Sequence, residues 1–338
     1  MIAIPESART LCRTTPLIWS APLGCHLKLE SHQRSGSVLL RGAALKLARM
    51  PAADRAGGVI TASTGNLGAA LACVGQQLGV RVRVIMPEPA AAAPRCKREL
   101  IAGYGGEIIR HGRDLVEAER FGRRLAAQKD ALFISPSEDS DMIEGTGGWL
   151  GHEVREQLPG VRRIVTPVGS GGTAAGLLAE LGEQGVEILG VSAAAHAAMA
   201  DSLLQGRALT EYTGSATACE ELTANVGWRS FRSAVHHALF IDRVSEEEAI
   251  DAVVFAYREL GLVIEPSAAV VLAAVRAGRL PGLPGSALAA SDRPPEAAGH
   301  DVVLIISGGN LDAERLRTWL GEPELPPPDS GAVPVEIP

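Results

Sequence analysis

Lysine is scarce in this chain. Four occur among 338 residues, Lys28, Lys46, Lys97 and Lys129, in a background rich in Arg and Ala. Basic charge as a whole is not in surplus: 32 Lys+Arg stand against 39 Asp+Glu, a net charge of −7. That balance, with a pI near 5.7, excludes a surface built to grip the phosphate backbone of nucleic acid, though not a local pocket for one small anion. Long apolar runs are missing too. No stretch approaches the ~20 residues that cross a bilayer. Met1–Arg13 carries charge and no apolar core of a signal peptide. No membrane partner is expected, and the cytoplasm is the expected location. Five cysteines, Cys12, Cys25, Cys73, Cys96 and Cys219, are scattered and odd in number, with no CxxC or Cys/His spacing. The eight histidines form no HExxH pair, so no metal site is expected.

What is present suits about two domains at ~150 residues each. Apolar residues at 46% and charged residues at 21% supply a full core. Short Val/Ile-rich runs read as buried strands: His26–Glu30, Gly58–Ala62, Arg81–Met86, Glu107–His111, Leu132–Ser135, Arg163–Pro167, Glu187–Ser192, Leu239–Val244 and Val302–Ile306. Helical patterns lie between most of them, at Ser37–Ala48, Gly65–Leu78, Arg95–Gly103, Leu115–Gln128, Met142–Gln157, Thr173–Leu181, Glu246–Leu260, Ser267–Ala277 and Ala313–Leu320. The alternation predicts an α/β fold with open, mostly parallel sheets, and the strand count exceeds what one short sheet needs. Pro281–His300 reads as a surface loop, and residues 322–338, with the triplet Pro326–Pro328, as a disordered tail.

Four motifs carry chemistry. Gly169-Ser170-Gly171-Gly172-Thr173 follows a strand and opens a helix. Glycines let backbone N–H groups converge, and the helix N-terminus adds partial positive charge, which together make a phosphate cup. A tight strand–helix turn is the plainer reading. A dinucleotide fingerprint fits less well, because Ala174 holds the third glycine position. Ser63-Thr64-Gly65-Asn66-Leu67-Gly68 also sits between strand and helix. Its hydroxyls, amide and free N–H groups suit a small carboxylate, and a helix cap explains Ser63 or Thr64 equally well. Ser307-Gly308-Gly309-Asn310 follows the buried strand Val302–Ile306, at the edge where open α/β sheets bind ligands. The fourth is Lys28-Leu29-Glu30 followed by the block Ser35–Ala43, a strand leading through a Gly/Ser turn into a helix.

In this order, with Thr15-Pro16-Leu17, Tyr104-Gly105-Gly106-Glu107 and Glu265-Pro266, these motifs resemble the fold-type II pyridoxal-phosphate enzymes. The branch is the threonine/serine dehydratase and serine racemase group, and the resemblance spans about residues 14–320. It implies a two-lobe α/β fold like that of the tryptophan synthase β chain. Residues 1–51 and 139–321 would form a large cofactor domain and residues 52–138 a small mobile one, with the site between them. It implies pyridoxal phosphate as cofactor, an amino-acid-like substrate and a homodimer. Gly169, Ser170, Gly171, Gly172 and Thr173 would hold the cofactor phosphate, Asn66 its ring hydroxyl, and Ser307 its pyridine nitrogen. Ser63, Thr64, Gly65, Asn66 and Leu67 would hold the substrate carboxylate. Thr64 stands where racemases have a Ser that acts as acid and base.

Several positions depart from the pattern, and one of them bears directly on the chemistry. The family reads Ser-Phe-Lys, and that lysine carries the cofactor as a Schiff base; here the residues are Ser37-Val38-Leu39. Lys28, Glu30, Gly36, Arg41, Gly42 and Ala43 keep register, so no gap explains it. Leu67 also replaces the usual His after Asn66, and Ala224-Asn225-Val226 loosely replaces Ala-Asp-Gly. Leu39 forms no imine and moves no proton. Lys46, seven residues on, lies about 10 Å further along a helix, and Lys28 belongs to the preceding strand. Three readings follow: a dehydratase-type lyase with atypical chemistry, a non-catalytic cofactor- or ligand-binding relative, or an ordinary dehydratase whose lysine was replaced or misrecorded.

Overall fold

A computed structural model gives the fold and describes residues 2–88, 94–283 and 299–322. Its ten strands are β1 (Leu17–Ser20), β2 (Cys25–Leu29), β3 (Val59–Ala62), β4 (Val82–Met86), β5 (Glu107–Arg110), β6 (Leu132–Phe133), β7 (Arg163–Pro167), β8 (Glu187–Ala193), β9 (Phe240–Val244) and β10 (Val302–Ile306). They form two sheets, six strands in the order β1-β2-β10-β7-β8-β9 and four in the order β5-β4-β3-β6. Every pairing is parallel except β1 with β2.

β10 shows why these runs become central strands. All five of its residues, Val-Val-Leu-Ile-Ile, are buried, because helices cover both faces of the sheet. One apolar core packs the helices Glu246–Leu260 and Pro266–Arg276 against the large sheet, and another fills its opposite face. Two further cores sandwich the small sheet.

β1 escapes the sequence pattern. It has four residues, with Ile18 and Trp19 facing outward, and it is an antiparallel edge strand, where neither a buried run nor alternation marks it. Two helices of eight or nine residues, Ala198–Gln205 and Trp228–His236, were also not expected. Neither has a side-chain cap to announce it. The expected helix Met142–Gln157 is three pieces: Ser140–Ile143, a π-helical stretch Glu144–Trp149, and Leu150–Gln157. The wide turn contains the buried Gly145, Gly147 and Gly148. It packs tightly on both the Leu39–Arg49 helix and the Gly172–Leu181 helix, so it braces the two elements that carry Leu39 and the glycine loop. Most of the expected loop Pro281–His300, and nearly all of the expected tail, lie outside the described residues.

Candidate functional site

The C-terminal ends of β2, β3, β7 and β10 bring the four sequence motifs to one cleft of about 130 Å³. Leu39, Ser63, Thr64, Asn66, Leu67, Gly169, Ser170, Gly171, Gly172, Thr173 and Ser307 all line it. Of the expected site residues only Gly65 does not. It backs onto Lys97 instead: a Cβ at Gly65 would lie 2.4 Å from Lys97 Cδ.

Leu39 faces this cleft for a reason two residues away. Arg41 is fully buried. Its Nε and Nη2 donate to Glu30 at 2.8 Å each, and Nη1 and Nη2 donate to Glu153 at 2.9 and 2.7 Å. Lys28 joins the same network through Glu153 and the Thr15 carbonyl. Burial opposes charge on Glu153, but the Arg41 guanidinium and then Lys28 hold its carboxyl below the usual range. Arg41 is about 200° round the helix from Leu39 at 100° per residue. Anchoring one therefore points the other at the cleft. Val38 N–H donates to the Ser307 carbonyl at 2.8 Å, which ties the start of this helix to the end of β10.

The glycine loop has the form of an anion cup. Gly171, at φ +88°, is in the left-handed region, and a Cβ there would lie 2.3 Å from Met199 Cε. Both facts require glycine. The ten-residue helix Gly172–Leu181 has no side-chain cap. The amide N–H groups of Ser170, Gly171, Gly172 and Thr173 have no protein acceptor among the described residues. Converging, unpaired donors on a helix N-terminus suit a phosphate.

On the other side of the cleft, Ser63 Oγ accepts from Gly65 N–H at 2.9 Å and Gly68 N–H at 3.2 Å. It is an internal cap of the helix Asn66–Leu78. Asn66 Nδ2 donates to Glu265 Oε1 at 2.7 Å, and Asn66 Oδ1 accepts from Asn310 at 2.8 Å. The amide is held in place with one Nδ2 hydrogen still uncommitted. Asn66 N–H donates to Glu221 Oε1 at 3.0 Å.

Sequence reasoning missed the charged wall behind these residues. Lys97 is fully buried, and its Nζ lies 2.9 Å from Glu220, 2.8 Å from Glu221 and 2.7 Å from Glu265. Burial works against the charged ammonium, but the three carboxylates raise its pKa well above the usual range. Burial pushes the Glu265 carboxyl up to about 7, against the pull of Lys97. Glu119, Glu220, Glu221 and Glu265 line the cleft, and among the described residues no Lys, Arg or His does. Two signals were available in sequence: one of only four lysines, and the adjacent pair Glu220-Glu221.

No lysine takes the place left by Leu39. Lys28 and Lys97 are locked in buried ion pairs, Lys46 pairs with Asp139 at 2.7 Å, and Lys129 is exposed after the helix Leu115–Gln128. Among the described residues no group of His, Cys, Asp and Glu forms a metal site, and no helix is long and apolar enough to cross a membrane.

Two α/β sheets, parallel but for one edge strand, that bring a glycine loop of unpaired amides and a Ser/Thr/Asn loop to one cleft define a class of α/β proteins with a ligand-sized cleft at the strand ends. Comparison with known proteins names the family. Residues 8–308 match the model of the pyridoxal-phosphate dependent enzymes, and the chain belongs to that family. It is 30% identical to the catabolic L-threonine dehydratase TdcB of Staphylococcus aureus, over 92% of this chain and 88% of that protein. It is 30% identical to the L-threonine ammonia-lyase of Thermotoga maritima, over 93% of this chain and 76% of that protein. Among solved structures, the processed form of threonine deaminase isoform 2 from Solanum lycopersicum superposes with a TM-score of 0.77 at 26% identity, covering 93% of this chain and 84% of that one.

The site fits the cofactor in part. The unpaired amides of the glycine loop suit its phosphate. The buried Ser37 hydroxyl on the cleft wall has no partner, which leaves a polar atom for a bound group to satisfy. Position 39, where the family resemblance expects the anchoring lysine, offers only a hydrocarbon.

Proposed function

We propose that this chain is a dehydratase-family lyase that holds pyridoxal phosphate without a covalent bond and acts on a small amino compound. Leu39 carries the reading: it lines the same cleft as the glycine loop, at the position where the family resemblance expects the anchoring lysine. Bound there, the cofactor would supply a carbonyl that condenses with amines and draws electrons from the adjoining carbon. The residues of the chain would bind and orient. The amides of Gly169–Thr173 would hold the phosphate, Ser307 would face the ring nitrogen, and the fixed amide of Asn66 would donate to the ring hydroxyl. Thr64, 6% exposed and with no side-chain hydrogen-bond partner among the described residues, would be the hydroxyl that holds or passes a proton. Leu39 keeps water away and transfers nothing, and a missing general base lowers a rate by roughly 10²–10⁴-fold. That loss favours a second reading, a protein that binds the cofactor without turning over. The homodimer and the cytoplasmic location stand on the family resemblance and belong to the same proposal.

Leu39→Lys tests the reading. The variant is expected to acquire a cofactor band that resists dialysis, and its mass is expected to rise by one phosphopyridoxyl group after borohydride reduction. If it incorporates nothing, the cleft does not present the cofactor to position 39 and the proposal fails. Release of ammonia from 2-aminoethanol, L-serine or L-threonine by the unaltered protein with added cofactor would separate the lyase from the non-catalytic binder.

A further inference from the structure

We propose that Glu221 is a specificity-determining residue: its own carboxylate sits in the carboxylate-binding loop, so the site takes an amine in preference to an amino acid. The assignment rests on the cofactor-binding reading above. The sequence marks Ser63–Leu67 as a place for a carboxylate, and the structure puts one there from within the chain. Glu221 Oε1 accepts the Asn66 N–H at 3.0 Å and is held from behind by Lys97 Nζ at 2.8 Å. Its backbone is fixed as well, since Glu221 N–H donates to Ser267 Oγ at 3.1 Å.

Independent features show that this wall faces a ligand. Thr64 beside the seat is 6% exposed, lines the cleft, and its side chain has no hydrogen-bond partner among the described residues. The Ser37 hydroxyl, 1% exposed, is unpartnered on the same cleft. A ligand carboxylate entering here must take the Asn66 N–H from Glu221, and it meets Glu119, Glu220 and Glu265 with no cation among the described residues of the lining. A ligand ammonium meets the same wall as an attraction. Selection of this kind works through the penalty on the wrong ligand as much as through contacts to the right one.

Two probes share every contact except the one in question. N-(5′-phosphopyridoxyl)-2-aminoethanol and N-(5′-phosphopyridoxyl)-L-serine carry the same phosphate, ring, amine and hydroxymethyl group, and only the second has an α-carboxylate. By calorimetry the unaltered protein is expected to bind the first at least about tenfold more tightly, the scale of one hydrogen bond to a charged group. Glu221→Ala is expected to reverse that order. Glu221→Asp keeps a charge for Lys97 and is one methylene too short for Asn66, so it is expected to shift the ratio the same way should the alanine variant fold poorly. If both probes bind the unaltered protein equally, or if neither variant moves the ratio, the Glu221 assignment is wrong while the cofactor reading stands. If neither probe binds any of the proteins, the cofactor reading fails and the assignment falls with it.

Discussion

Two helix N-termini face the same cleft, and the chain treats them differently. The helix Gly172–Leu181 begins in a loop whose amides have no protein acceptor. The helix Asn66–Leu78 begins with its first amide bound to Glu221, a residue 155 positions away. A third helix, Arg95–Gly103, is treated like the second, with Asp312 accepting from the Arg95 and Cys96 amides at 3.0 and 2.7 Å. Each helix start attracts negative charge. Where the chain supplies that charge itself, the helix is a structural joint between the part of the chain around the small sheet and the part around the large one. Where it leaves the donors unpaired, they are free to take that charge from a ligand. The contrast predicts which contacts carry stability and which carry binding.

The largest effect is expected on the filled side. Lys97→Met would leave Glu220, Glu221 and Glu265 without their shared counter-ion, and breaking a buried ion cluster from one side costs about 3–5 kcal/mol. Urea unfolding would measure it. A loss under about 1 kcal/mol, the range of an exposed pair, would mean that Lys97 does not hold the acids in place.

Gly171→Ala addresses the open side. The left-handed backbone alone disfavours a side chain by about 1–3 kcal/mol, and the new Cβ would collide with Met199. The expected result is a loss of about 100-fold in affinity for pyridoxal phosphate, the scale of two charge-assisted hydrogen bonds. Equal affinity in the variant and the unaltered protein would show that the phosphate is held elsewhere.

The smallest effect is a pH dependence. Burial raises the Glu265 carboxyl from 4.5 to about 7, so the folded chain holds this proton more tightly than the unfolded chain does. Its contribution to stability is full below the ordinary glutamate range and is lost as pH rises through about 7. Glu265→Gln is expected to show a flatter stability profile than the unaltered protein between those two values. Parallel profiles would mean that Glu265 is ionised throughout and that Lys97 dominates its surroundings.

Local signals made much of this legible in the sequence. β10 is buried on both faces and reads as a continuous apolar run, whereas β1, exposed at an edge, does not. The glycine loop and the Ser63–Leu67 loop were visible because each is a contiguous segment whose shape its own residues dictate. Leu39 was visible because the residues around it, Glu30 and Arg41 above all, keep a fixed spacing, which the structure explains as one buried ion network. The wall of Lys97, Glu220, Glu221 and Glu265 was not. Its members come together over separations of 123 and 124 residues, and no local pattern records which distant acid meets which base. Glu265 was noticed as part of a motif, but its role as a partner of both Asn66 and Lys97 follows only from the packed structure.

The account turns on whether the cofactor is held without a covalent bond. Absorption spectra of the purified protein with added pyridoxal phosphate, before and after dialysis and alongside an intact-mass determination after borohydride reduction, test it most directly. The account predicts a cofactor band that disappears on dialysis and a mass equal to that of the written sequence. A band that survives dialysis, with one phosphopyridoxyl group added to the mass, would show that a lysine anchors the cofactor after all and would contradict it.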